Sequence, residues 1–111
     1  SLYDSQEYDL FTLLQLGGWV EGLNKTCFLL SLNYQAEKTA IIDEKGILNQ
    51  LINNLKNVKN PELKKMSYYT ISTTNLAKIR EIIYSGENSI YSLENIKQIT
   101  TLTDEIKKSF Q

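Results

Sequence analysis

Leu10 to Tyr34 reads LFTLLQLGGWVEGLNKTCFLLSLNY, an apolar run with Gly17, Gly18 and Gly22 at its centre. Within it Leu13, Leu16, Val20, Leu23, Cys27, Leu30 and Tyr34 follow one another at alternating steps of three and four residues. That spacing keeps side chains on one face of an α-helix, whereas a strand would alternate every second residue. Each glycine inside a helix costs about 1 kcal/mol relative to alanine, so something must offset three of them. Gly18 and Gly22 lie four apart and share a face. Without Cβ atoms there, a neighbouring helix backbone can come close, and Trp19 next door offers a large packing surface. A tight helix crossing is therefore the expected benefit. A bend at Gly17 and Gly18, or a ligand laid against bare backbone, are the other readings. On the first, a Cβ at Gly22 overpacks the crossing and Gly22→Ala lowers stability.

The rest of the chain fits one small helical domain over residues 1–111. It has 111 residues, 41% hydrophobic and 23% charged, with a formal net charge of -1, so neither nucleic acid nor an anionic membrane surface is an expected partner. Histidine is absent and cysteine occurs once. This excludes the usual zinc sites, an internal disulfide and every catalytic arrangement that needs imidazole. Gln15, Glu21, Asn24 and Lys25 interrupt the apolar run, which therefore falls short of the roughly 20 apolar residues of a membrane span. Cys27, in phase with Val20 and Leu23, reads as a small core residue. The chain opens Ser1, Leu2, Tyr3, Asp4 with neither a start methionine nor a signal peptide, the expectation being a processed or truncated chain.

Four helices are expected, Ser5–Asn33, Thr39–Asn57, Pro61–Tyr84 and Ser92–Ser109, packed as an antiparallel bundle. Ser5 or Asp4 would cap the first, with Glu7 and Asp9 at its positive end. The second is carried by Ile41, Leu48, Leu51, Ile52, Leu55 and Val58, and is read as continuous through Gly46 rather than broken by a loop at Asp43 to Gly46. Asn60, Pro61 and Glu62 give the third a cap, a first-turn proline and an early carboxylate. Its middle, Ser67 to Thr74, has weak helix preference, leaving one helix with a weak waist or a second start at Thr73 or Thr74; the single helix is preferred. Ser85 to Asn88 form a turn, and Ser92 caps the last helix. The expected core is Leu13, Leu16, Val20, Leu23, Leu30, Leu51, Leu55, Leu76, Ile79, Ile83, Ile96, Ile99 and Ile106.

Chemistry-bearing motifs are few. The glycines form neither a phosphate loop nor a dinucleotide fingerprint. Asp43, Glu44 and Gly46 lack the ligand alternation of a calcium loop, and di-metal carboxylate bundles use histidine alongside glutamate. No metal, cofactor or catalytic residue is assigned. Glu21 is the carboxylate nearest the glycine face, where a paired edge residue is the plain reading and a binding or acid-base role the sharper one. Asn24, Lys25 and Thr26 spell a glycosylation sequon inside a helix, a poor acceptor context. Tyr68 and Tyr69 fit either core-edge packing or a contact surface. The candidate ligand or partner groove is Gly18, Trp19, Glu21 and Gly22.

The run Gly17 to Leu23, with the closing Ser92, Leu93, Glu94, Asn95, Ile96, Lys97, Gln98, Ile99, Thr100 and then Glu105, Ile106 and Lys107, resembles an uncharacterised group of helical secreted proteins and lipoproteins of Bacteroidetes bacteria. Members are longer, with a helical half before the glycine run, so the resemblance implies a C-terminal half of a protein exported to the periplasm or cell surface. Their lipidated cysteine is N-terminal and is not matched by Cys27. The resemblance supplies no catalytic residues. Together these readings lead to a non-enzymatic binding or interaction domain, with a protein partner or self-association. The alternative is a small-ligand carrier or carboxylate-based hydrolase built on Gly18, Gly22 and Glu21.

Overall fold

The computed structural model describes the backbone of residues 2–111 and the side chains of residues 4–111. Among these residues the fold is all-α. Its helices are α1 (Leu2–Leu32), a 3-10 segment (Ala36–Ile42), α2 (Lys45–Lys56), α3 (Pro61–Lys65), α4 (Ser67–Ser85) and α5 (Leu93–Ser109). Side-chain bonds give the packing order. Asn24 reaches Thr103 and Glu21 reaches Lys107, Asn75 reaches Glu105 while Tyr68 stacks on Phe110, and Asn49 reaches Tyr84 while Tyr69 reaches Leu55. Within each pair of helices the earlier contact on one is the later contact on the other, so α1/α5, α4/α5 and α2/α4 are antiparallel. Tyr8 and Gln15 both bond Asn54, closing the ring between α1 and α2. α1, α2, α4 and α5 thus form an up-down-up-down four-helix bundle. The molecule's longest dimension, 48 Å, is nearly the length of α1, since its 31 residues rise about 1.5 Å each.

The core follows the expected stripes with two exceptions. Leu16, Val20, Leu23, Leu51, Leu55, Leu76, Ile79, Ile83, Ile96, Ile99 and Ile106 are buried. Leu13 and Leu30 are only half-buried, because α1 turns them to the margins of its inner face. Ile42, Leu48, Val58, Leu63 and Tyr91 join the buried set, and the buried Cys27 lies within the core.

The expected helix boundaries need three corrections. α1 starts at Leu2 rather than Ser5, with Asp4 in its first turn, where a carboxylate suits the positive helix end. The second expected helix is divided at Asp43 and Glu44 into a 3-10 segment and α2. Three residues per turn put Thr39 and Ile42 on one face, so Ile42 is buried while Ile41 is 65% exposed. The third is divided at Met66, whose ψ of 144° is extended. The break therefore falls before the Tyr- and Thr-rich stretch, not at Thr73 or Thr74. The caps at Asn60 and Ser92 form as read: Asn60 Oδ1 accepts from the amides of Glu62 and Leu63, and Ser92 Oγ from that of Asn95.

Two polar anchors hold the irregular joints. Asp9 is buried inside α1 and accepts from the amides of Lys59 and Asn60 at 3.4 and 3.1 Å. It satisfies donors of the α2–α3 joint rather than of its own helix end. Tyr91 is the second anchor. Its hydroxyl donates to Ile83 O at 2.8 Å, its amide donates to Thr39 Oγ1 at 3.0 Å, and its carbonyl accepts from Tyr34 at 2.7 Å. The turn that delivers it has Asn88 and Ser89 at positive φ, a conformation asparagine tolerates better than most residues.

Gly86 lies directly against the Tyr91 ring, where a Cβ would sit 2.3 Å from a ring carbon. Gly86→Ala should therefore cost about 1 to 3 kcal/mol by overpacking, read by chemical denaturation; a neutral result would show that the ring moves freely. Asp9→Ala should cost about 2 kcal/mol, because two backbone amides lose a charged acceptor.

Candidate functional site

The geometry of the glycine run begins with what α1 turns outward. Its inner face is the Leu16, Val20, Leu23 and Cys27 stripe. Its outer face carries Leu10, Phe11 and Leu14 toward one end and Phe28, Leu29 and Leu32 toward the other, each between 52% and 69% exposed. Gly18 and Gly22 lie between the two groups, also exposed. A helix apolar on both faces is one expected to be covered on both. Here one face is covered by the bundle and the other is open.

The expected tight crossing within the chain is not found. A Cβ built on Gly17, Gly18 or Gly22 meets nothing within 4 Å. No other described helix of the bundle approaches this face, because α2 and α5 flank the inner side. The glycines face open space and are not closed over by another described helix. The cost of the glycines is therefore not offset inside this fold, and the expected sign of Gly22→Ala reverses.

The other two residues of the candidate groove have separate roles. Trp19 turns inward to pack against the core, and its Nε1 is buried without a hydrogen-bond partner. Glu21 sits at the edge between the open face and α5. It is paired with Lys25 at 3.1 Å and Lys107 at 3.2 Å, and hydrogen bonds from Lys25 and then Lys107 hold its carboxyl below the usual carboxylate range. A carboxylate kept ionised in this way is a weak proton acceptor, which favours the paired-edge reading over acid-base work. The structure thus keeps Gly18 and Gly22 on one surface, puts Glu21 at its margin and takes Trp19 away from it.

Behind Glu21 lies a polar cluster that the sequence pattern does not announce. The buried Asn24 amide donates to Thr103 Oγ1 at 2.8 Å, Asp104 Oδ1 at 2.9 Å and Thr100 O at 3.2 Å, and its carbonyl oxygen accepts from Lys107. The sequon asparagine is consumed in packing. The one signal in the sequence is an Asn adjoining the buried stripe. Cys27 is likewise internal, and burial pushes its thiol up to about 12, so it is an inert core group. Tyr68 and Tyr69 lie at the core edge, the first stacked on Phe110 at 4.7 Å and the second bonded to Leu55 O.

Elsewhere, an open groove of about 810 Å³ runs between α4 and α5, lined by Lys78, Glu81, Glu94, Lys97 and Glu105 among others. Its charges alternate in sign and do not converge on a point. Among the described residues no group of three His, Cys, Asp or Glu is placed to hold a metal ion, and no helix is long and apolar enough to cross a membrane. No protein-family model, curated protein or solved structure matches the chain.

In open space only the propensity and unfolded-chain entropy terms act on a glycine replacement. Gly18→Ala and Gly22→Ala should each raise the stability of the dilute chain by up to about 1 kcal/mol. A fall in thermal midpoint for both would mean that the face is packed. Asp43 accepts from Lys45 at 2.8 Å and from Ser89, and its carboxyl is held below its ordinary 3.8 by the hydrogen bond from Lys45 and then that from Ser89. A lowered folded value contributes stability that is present above the unfolded value and lost as pH falls through the folded one. Asp43→Asn should flatten the acid limb of the pH–stability curve, checked by denaturant unfolding across that range.

Proposed function

We propose that this chain is a non-enzymatic interaction domain whose working surface is the outer face of α1. The observation that carries the reading is the exposure of Leu10, Phe11, Leu14, Phe28, Leu29 and Leu32 on a helix whose opposite face already fills the core. Exposed apolar side chains scattered singly need no explanation, whereas two clusters of three at either end of one helix face make an apolar surface of the kind that marks protein contacts. The bundle positions that patch rigidly, because α1 is held from behind by α5 through Asn24 and by α2 through the bonds of Tyr8 and Gln15 to Asn54. The placement of the domain in an exported bacterial protein is supported by the resemblance of its glycine run and closing helix.

A face used for binding is either occupied by a protein or accessible to a hydrophobic dye. Leu14→Glu with Phe28→Glu should abolish both association and dye binding while leaving helix content and cooperative unfolding intact, followed by circular dichroism, sedimentation and dye fluorescence. A native chain that is monomeric and dye-silent would overturn the reading.

A further inference from the structure

We propose, building on the interaction-surface reading, that the occupant of this face is a second copy of the chain, packed with α1 antiparallel to its own α1 and crossing at Gly18 and Gly22. The face has the internal symmetry that such a pairing demands. An interface with a two-fold axis must present the same patch to itself, so each residue has to meet one equally far beyond the axis. Phe11 and Leu29 are equidistant from Val20, as are Gly18 and Gly22; Leu10 and Leu32 are equidistant from Glu21, as are Leu14 and Phe28. At about 100° per residue all eight positions fall on the outer half of α1. An axis crossing the outer face at the level of Val20 and Glu21 along the helix therefore sets Phe11 against the second copy's Leu29, Leu14 against its Phe28, and Gly18 against its Gly22. The bulky side chains occupy the two ends, and the crossing carries the bare backbone of Gly18 and Gly22 with the exposed Lys25 and half-exposed Glu21 beside it.

That distribution suits two helices that touch at their midpoints. Helix axes ordinarily pack about 8 to 10 Å apart, the spacing set by the side chains between them. Glycines on both sides of the crossing allow a closer approach there. The area is also of the right size. The six side chains are each 52% to 69% exposed, and covering them fully would bury about 700 Å² per copy, an upper bound close to the roughly 800 Å² per partner of a stable interface. The charged residue beside the axis is not left alone in such a pair. Glu21 is flanked in its own copy by Lys25 and Lys107 at 3.1 and 3.2 Å, so the two carboxylates arrive already matched by cations.

Sedimentation of the chain from micromolar to submillimolar concentration should give a mass twice 12.8 kDa. Leu14→Glu should weaken the dimer roughly a hundredfold, and Gly18→Leu about tenfold, with helix content unchanged. Register and direction are read by disulfide formation. In an antiparallel pair Phe11→Cys and Leu29→Cys chains mixed together form a cross-linked dimer. Phe11→Cys alone forms none, since its own copy then lies about 27 Å away along the helix, far beyond disulfide reach. The native Cys27 is buried and does not compete. Cross-linking of Phe11→Cys with itself would mean a parallel pair and overturn the proposal. A chain that stays monomeric at the highest concentration would also overturn it. If that monomer binds a hydrophobic dye through the same face, the interaction-surface reading survives with a different partner; if it is dye-silent, both fall.

Discussion

The seam between α1 and α5 is fixed by one buried amide. Asn24 is buried beside the apolar stripe of α1, where an unsatisfied amide would cost several kcal/mol, and it finds its partners only if Thr100, Thr103 and Asp104 are opposite it. Sliding α5 by one turn would move those acceptors about 5.4 Å away. The hydrophobic stripes of Leu16, Val20 and Leu23 on one helix and Ile96, Ile99 and Ile106 on the other would tolerate several registers. The amide selects one. Asn75 does the same for α4 and α5, donating to Leu102 O and Glu105 Oε1 at 3.0 and 2.9 Å. Both helices that flank α5 are thus indexed to it by a buried asparagine.

What can be read from the sequence divides by the range of the interaction that decides each feature. The caps at Asn60 and Ser92 are local, made by a side chain bonding amides two or three residues on, and short motifs announce them. The stripes that make the core are also local in origin, because a 3.6-residue period needs no knowledge of the partner helix. The break at Asp43 is different. Asp43 is held by Lys45 and by Ser89, the latter from a distant turn, and that turn is held in place by Tyr91 bonding Thr39, Ile83 and Tyr34. No window of sequence around Asp43 contains this information. Asp9 departs from its expected role for the same reason: its position suggests a helix-end charge, while its acceptor role depends on Lys59 and Asn60 arriving from another part of the chain.

The glycines show how one residue type serves opposite ends. Gly86 is set by a contact inside the fold, since the Tyr91 ring occupies the space of its missing Cβ. Gly18 and Gly22 face open space. Their spacing marks a shared face, and the structure leaves both exposed on it, but the spacing does not state which side of the helix the rest of the chain will cover. That choice is made by the apolar stripe centred on Val20 and Cys27. That stripe supplies a continuous row of side chains, Leu16, Val20, Leu23 and Cys27, whereas two glycines on the other face have no side chains with which to fill a core.

The outer face of α1 and the buried seam behind it meet at one set of charges. Glu21 stands at the boundary between them, paired on the outer side with Lys25 and on the inner side with Lys107 of α5. Lys107 also reaches the Asn24 carbonyl oxygen at 3.3 Å, so its ammonium spans the edge of the open face and the buried polar seam. Such half-exposed pairs contribute little to stability in water. Taking solvent from Glu21 would strengthen the attraction within each pair and at the same time impose the desolvation cost of the ions, so the two effects oppose. One lysine thus serves both the edge of the outer face and the buried seam, so replacing Lys107 would remove a partner from Glu21 and from Asn24 at once.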